Sequence, residues 1–97
     1  MSTPPTEKYL RVLQKNVGTH RDSAILYKNA DQIDLGRLDS LLVKLNSSLG
    51  TYTTTYERII NNHFGGIQQV DNVDKLEHEY NTFFMKIQDN LTSLYET

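Results

Sequence analysis

Residues 38–59 read LDSLLVKLNSSLGTYTTTYERI, and along them Leu38, Leu42, Leu45, Leu49, Tyr52, Tyr56 and Ile59 recur at alternating steps of four and three. Such a stripe is a heptad seam: side chains spaced this way stack on one helical face and bury against a neighbour. Beyond Ile59 the next step reaches His63, while Ile60, Phe64 and Ile67 take over on an adjacent stripe, as happens when the period relaxes towards the 3.6 of a straight helix. Gly65-Gly66 then stops it. The run Gly50-Thr51-Tyr52-Thr53-Thr54-Thr55-Tyr56 favours strand by composition. The seam passes through it unbroken, and periodicity outranks propensity, so the reading is one helix over residues 37–64.

A second seam lies in residues 73–94, VDKLEHEYNTFFMKIQDNLTSL, through Val73, Leu76, Tyr80, Phe83, Ile87, Leu91 and Leu94. Asp71 and Asp74 imitate a capping box, and carboxylates suit the positive end of a helix, which predicts a helix over 71–96. The two seams fit one antiparallel register: Ile59 with Leu76, Tyr56 with Tyr80, Tyr52 with Phe83, Leu49 with Ile87, Leu45 with Leu91, Leu42 with Leu94. Steps of three and four on one helix are answered by steps of three and four on the other, so that the paired residue numbers keep a sum constant to within one. The register leaves a loop of about seven residues, a usual length between helices.

Working outward, residues 1–5 carry two prolines and no period and read as a flexible lead-in. Thr6 can cap a helix with apolar positions Leu10, Leu13 and Val17, which Gly18 is expected to end. A further periodic stretch, Ile25, Leu26, Ala30 and Ile33, follows a candidate cap at Thr19 or Asp22, and Gly36 marks a boundary. The predicted fold is all-α: an antiparallel, coiled-coil-like hairpin with one or two shorter N-terminal helices in residues 6–33, one domain over 6–97.

At 97 residues and 11.2 kDa the chain is a single domain, which excludes a multi-domain enzyme. With 37% hydrophobic residues and a mean hydropathy of -0.56, its core must be small and partly open. Cysteine is absent, which removes disulfide scaffolds and cysteine-based zinc sites. The N-terminal residues lack a basic region followed by an apolar run, and no stretch is apolar enough to span a membrane, so the expected location is intracellular, cytoplasmic or nuclear. The glycosylation patterns at Asn46-Ser47-Ser48 and Asn90-Leu91-Thr92 are expected to go unused there.

The residues predict no catalytic, cofactor or metal site. His20, His63 and His78 include no pair at the spacing of a helical metal site, and Glu77-His78-Glu79 fans out around a helix instead of converging. No nucleophile elbow or glycine-rich phosphate loop is present. Tyr52, Tyr56, Tyr80 and Phe83 form two facing aromatic layers that are expected to fill the core.

Charge is uneven. Five of the ten Lys and Arg, namely Lys8, Arg11, Lys15, Arg21 and Lys28, stand in the first 30 residues beside only Glu7 and Asp22 of the twelve acidic side chains. Lys8, Arg11 and Lys15 share one helical face, which is expected to be solvated or docked on the chain's own acidic half. Leu35, Leu41, Ile60, Phe84, Met85 and Tyr95 lie off the paired seams and make a second apolar surface, the candidate partner-binding surface.

The functional expectation is therefore a non-catalytic helical protein–protein interaction subunit that contributes its hairpin to a larger assembly with other helical subunits or with a copy of itself. In periodicity and size the chain resembles the small coiled-coil subunits of eukaryotic tethering, kinetochore and transcription-mediator complexes, which implies an adaptor or scaffold role. One alternative is a binder of nucleic acid or another anionic surface through the basic segment; the pI of about 5.8 and the lack of a recognition-helix pattern argue against nucleic acid. The other is a small secreted helical hairpin of the WXG type, whose turn Phe64-Gly65-Gly66 resembles in an F-x-G form.

Overall fold

The computed structural model describes residues 3–96 and contains three helices: α1 (Glu7–Lys28), α2 (Leu35–Phe64) and α3 (Val73–Tyr95). No strand occurs among the described residues.

At the start of α1, Thr6 Oγ1 accepts a hydrogen bond from Tyr9 N at 3.0 Å. The helix does not stop at Gly18; one helix of 22 residues replaces two shorter ones. Leu10, Val17 and Ala24 follow each other at steps of seven and are all buried, so a continuous helix keeps one stripe packed along its whole length. Losing that burial by breaking at Gly18 would cost more than the roughly 1 kcal/mol that one helical glycine costs. Thr19, a candidate cap, instead donates its hydroxyl to Lys15 O within the helix. Ile33, read as part of a second helix, lies in the connection between α1 and α2. Of the predicted lead-in, Met1 and Ser2 lie outside the described residues; Pro5 is buried, and its carbonyl accepts from Gln68 Nε2 at 2.6 Å.

α2 starts two residues before the expected boundary because Asp34 caps it: Oδ1 accepts from Gly36 N at 2.9 Å and from Arg37 N at 3.4 Å. Its Thr-rich stretch is helical, and Thr55 is buried. At the far end Gly66 takes φ +77°, the left-handed conformation that glycine adopts without strain, and Ile67 N and Gln68 N both turn back to Asn62 O. The cap of α3 is Asn72, whose Oδ1 accepts from Lys75 N at 3.0 Å, not Asp71, so this helix begins at Val73. Asp74 still sits in the first turn.

The rings confirm the antiparallel register. Tyr56 stacks on Tyr80 with centroids 4.0 Å apart, and Tyr52 meets the edge of Phe83 at 5.3 Å. Leu45, Tyr52, Ile59, Leu76 and Ile87 are almost wholly excluded from water, and they form one core with Leu10 and Val17 of α1. Within this bundle the closest backbones are those of α1 and α2, not those of the hairpin that the heptads single out. Side-chain size explains the difference. Val17 and Ala24 on α1 and Thr55 on α2 are small, while stacked rings hold α2 and α3 apart. The long axis of 52 Å is set mainly by α2, whose 30 residues span about 45 Å at 1.5 Å each.

Candidate functional site

Three of the five N-terminal cations are used inside the chain. Arg11 reaches Glu79 on α3 at 3.4 Å and lies 4.0 Å from Glu7, one turn back on its own helix. Arg21 pairs with Asp22 at 3.1 Å. The Lys28 ammonium donates to Ser93 O at 2.8 Å, Leu94 O at 3.1 Å and Glu96 O, closing the end of α3 where the last carbonyls have no helical donors. Lys8 and Lys15 are exposed and make no ion pair among the described residues. The predicted basic face of Lys8, Arg11 and Lys15 is thus partly docked on the acidic half of the chain through Arg11.

The six residues of the predicted partner-binding surface do not stay together. Leu41 faces α1, in a groove bordered by Leu26, Tyr27, Ala30 and Arg37. Leu35 is exposed at the first residue of α2. The other four sit on or beside the flank of the α2–α3 pair that α1 leaves open. Ile60 and Phe84 are half-buried there, each packed against the core on one side. Phe84 lies beside Tyr80 with ring centroids 5.6 Å apart. Tyr95 is more than half exposed, and its hydroxyl accepts from Asn46 Nδ2 at 2.8 Å, tying α3 to α2. Met85 projects to solvent at 66% exposure. Sequence spacing placed these residues off the seams, but which side of the hairpin α1 would cover had no signal in it.

The aromatic layers belong to the core, as expected. Tyr52 is buried, and its phenol is pushed well above the ordinary tyrosine range by burial first and by the Glu79 carboxylate second. Tyr56 is raised by burial, then by Glu77 and Tyr80. The Tyr80 hydroxyl donates to Thr53 Oγ1 at 3.0 Å.

The histidines are separated. His63, at the end of the seam, has a role that periodicity missed: its Nδ1 accepts from the backbone N–H of buried Val70 at 3.0 Å and so anchors the loop after Gly66. His78 is exposed on α3. Among the described residues no three His, Asp or Glu side chains come together as a metal site, and no helix is long and apolar enough to cross a membrane.

In comparison with known proteins, the chain matches no family model, no curated protein and no solved structure.

Proposed function

We propose that the chain is a non-catalytic helical interaction subunit whose α2–α3 pair contributes to a larger bundle through the flank that α1 leaves uncovered. One observation carries the reading: Ile60 and Phe84 are large apolar side chains that pack on the core with one side and meet water with the other. Met85 and Tyr95, further large side chains of α3, are exposed. A helix pair has two flanks, and α1 covers one. A further helix laid on the second would complete a four-helix bundle, the arrangement in which such half-covered seam neighbours become interior.

The test uses the full chain. Met85→Asp and Phe84→Asp should abolish its stable association, with a partner recovered by affinity purification or with itself in analytical ultracentrifugation, while circular dichroism stays helical. Met85 is exposed enough that its substitution leaves folding untouched, which separates loss of binding from loss of structure. A chain that remains monomeric at high concentration, together with partners that bind both variants as they bind the parent, would refute the reading.

A further inference from the structure

All five cationic side chains of α2 and α3, Arg37, Lys44, Arg58, Lys75 and Lys86, fall on the side of those helices that faces α1. The helical turn of about 100° per residue puts them there relative to the seams. The surroundings agree: Arg37 lies over the Tyr27 ring of α1 at 5.6 Å, Arg58 borders a groove with Pro5 and Tyr9, and Lys75 and Lys86 border a hollow with Gln14. The opposite flank carries Asp39, Glu57, Asp74 and Glu77 instead. All four are exposed, and none makes an ion pair among the described residues. Two residues past Glu77, Glu79 turns the other way and pairs with Arg11.

Glu57 and Glu77 stand on either side of the Tyr56–Tyr80 stack. Glu57 follows Tyr56 in sequence, and Glu77 is one turn before Tyr80 on the same helix. Glu77 is also near enough to Tyr56 to oppose ionisation of its phenol. Two carboxylates on one apolar flank, neither paired with a cation among the described residues, are charges that a partner's cations would neutralise. The stretch of α2 from Leu42 to Ile60 that borders this flank is about 27 Å long, the length of a helix of about 18 residues.

We infer that this flank receives a basic amphipathic helix from a partner chain, its apolar stripe on Ile60 and Phe84 and its Lys or Arg side chains beside Glu57 and Glu77. The inference rests on the interaction reading above and adds the chemistry of the occupant. An acidic helix or a phosphate backbone would meet the four carboxylates and be repelled.

Two synthetic peptides of about 18 residues test it, matched to the length of the flank. Both carry the same Leu and Ile stripe, flanked in one by Lys and in the other by Glu, and fluorescence anisotropy reads their binding to the full chain. The Lys-flanked peptide should bind at least about tenfold more tightly at low salt, an advantage that shrinks as salt screens the carboxylates. Glu57→Lys with Glu77→Lys, both at exposed positions, should reverse the ranking with helicity unchanged. Equal affinities, absence of binding by both peptides, or a Lys preference that survives the charge reversal would overturn the inference. A salt-sensitive dimer of the chain that the charge reversal dissolves and the Lys peptide displaces would overturn it in favour of a second copy, whose α1 presents Lys8 and Lys15. A native partner that is lost on Phe84→Asp but indifferent to the charge reversal would overturn the charge assignment alone and leave the interaction reading standing.

Discussion

Replacing Lys28 by Met should loosen the end of α3 from a position on α1. The ammonium has three N–H donors, and each finds a carbonyl, of Ser93, Leu94 and Glu96. Methionine keeps most of the aliphatic stem and removes all three donors and the charge. Water can replace the donors at Ser93 and Glu96, where the bonds are exposed, so their loss costs little. The bond to Leu94 O is partly buried, and a hydrogen bond to a charged group there is worth about 1.5–3 kcal/mol. The favourable interaction of a cation with a helix C-terminus adds about 0.3–1 kcal/mol. Fraying sets the ceiling: once the loss exceeds the roughly 1.5–3 kcal/mol gained by burying the Leu94 side chain, the last turn unwinds instead of bearing it. The expected destabilisation is thus about 2 kcal/mol. Urea denaturation should show a lower midpoint at an unchanged slope, because nearly the same surface is exposed on unfolding. Hydrogen exchange should accelerate in residues 91–96 and remain as it was in the middle of α2. Lys28→Arg should recover only part of the loss, since a planar guanidinium cannot point three donors at three converging carbonyls. An unchanged midpoint with unchanged exchange at the end of α3 would refute the capping argument.

Glycine positions should divide by conformation. A Cβ at Gly18 would meet nothing closer than Arg21 Nη2 at 3.8 Å, and one at Gly50 nothing within 4 Å, so Gly18→Ala and Gly50→Ala should each stabilise by about 0.5–1 kcal/mol in thermal or urea unfolding. Gly66→Ala, at φ +77°, should destabilise by about 1–2 kcal/mol; the same sign at all three positions would contradict the helix assignments. Alkaline pH should unfold the bundle. Tyr52 and Tyr56 have folded pKa values raised above the ordinary 10.0, so the stability tied to their neutral phenols is complete below that pH and lost as pH rises through the raised values. Ultraviolet phenolate titration should show the late-titrating tyrosines ionising together with loss of helicity. Ordinary titration of all six tyrosines in a chain that stays helical would refute it.

The hairpin register was legible in the sequence because it depends on one-dimensional spacing. Steps of three and four bring side chains to one face whatever else the chain does, and two seams of equal average period align antiparallel in a register that the Tyr56–Tyr80 and Tyr52–Phe83 contacts reproduce. Local capping was legible only to within a residue or two. Asp71, Asn72 and Asp34 all have side chains that can accept from a helix start, and the choice among them follows where the chain turns.

The path of α1 through Gly18 was decided by tertiary structure, because the stripe Leu10, Val17 and Ala24 is worth burying only against a neighbour. The same holds for the flank that α1 covers. That choice splits Leu41 from Ile60 and Phe84, turns Lys28 from a surface cation into the cap of α3, and leaves Glu57 and Glu77 exposed on the uncovered flank. A helix period fixes direction around one axis only. Which side of a neighbouring helix that direction meets is a relation between axes, and it exists only once the helices have packed.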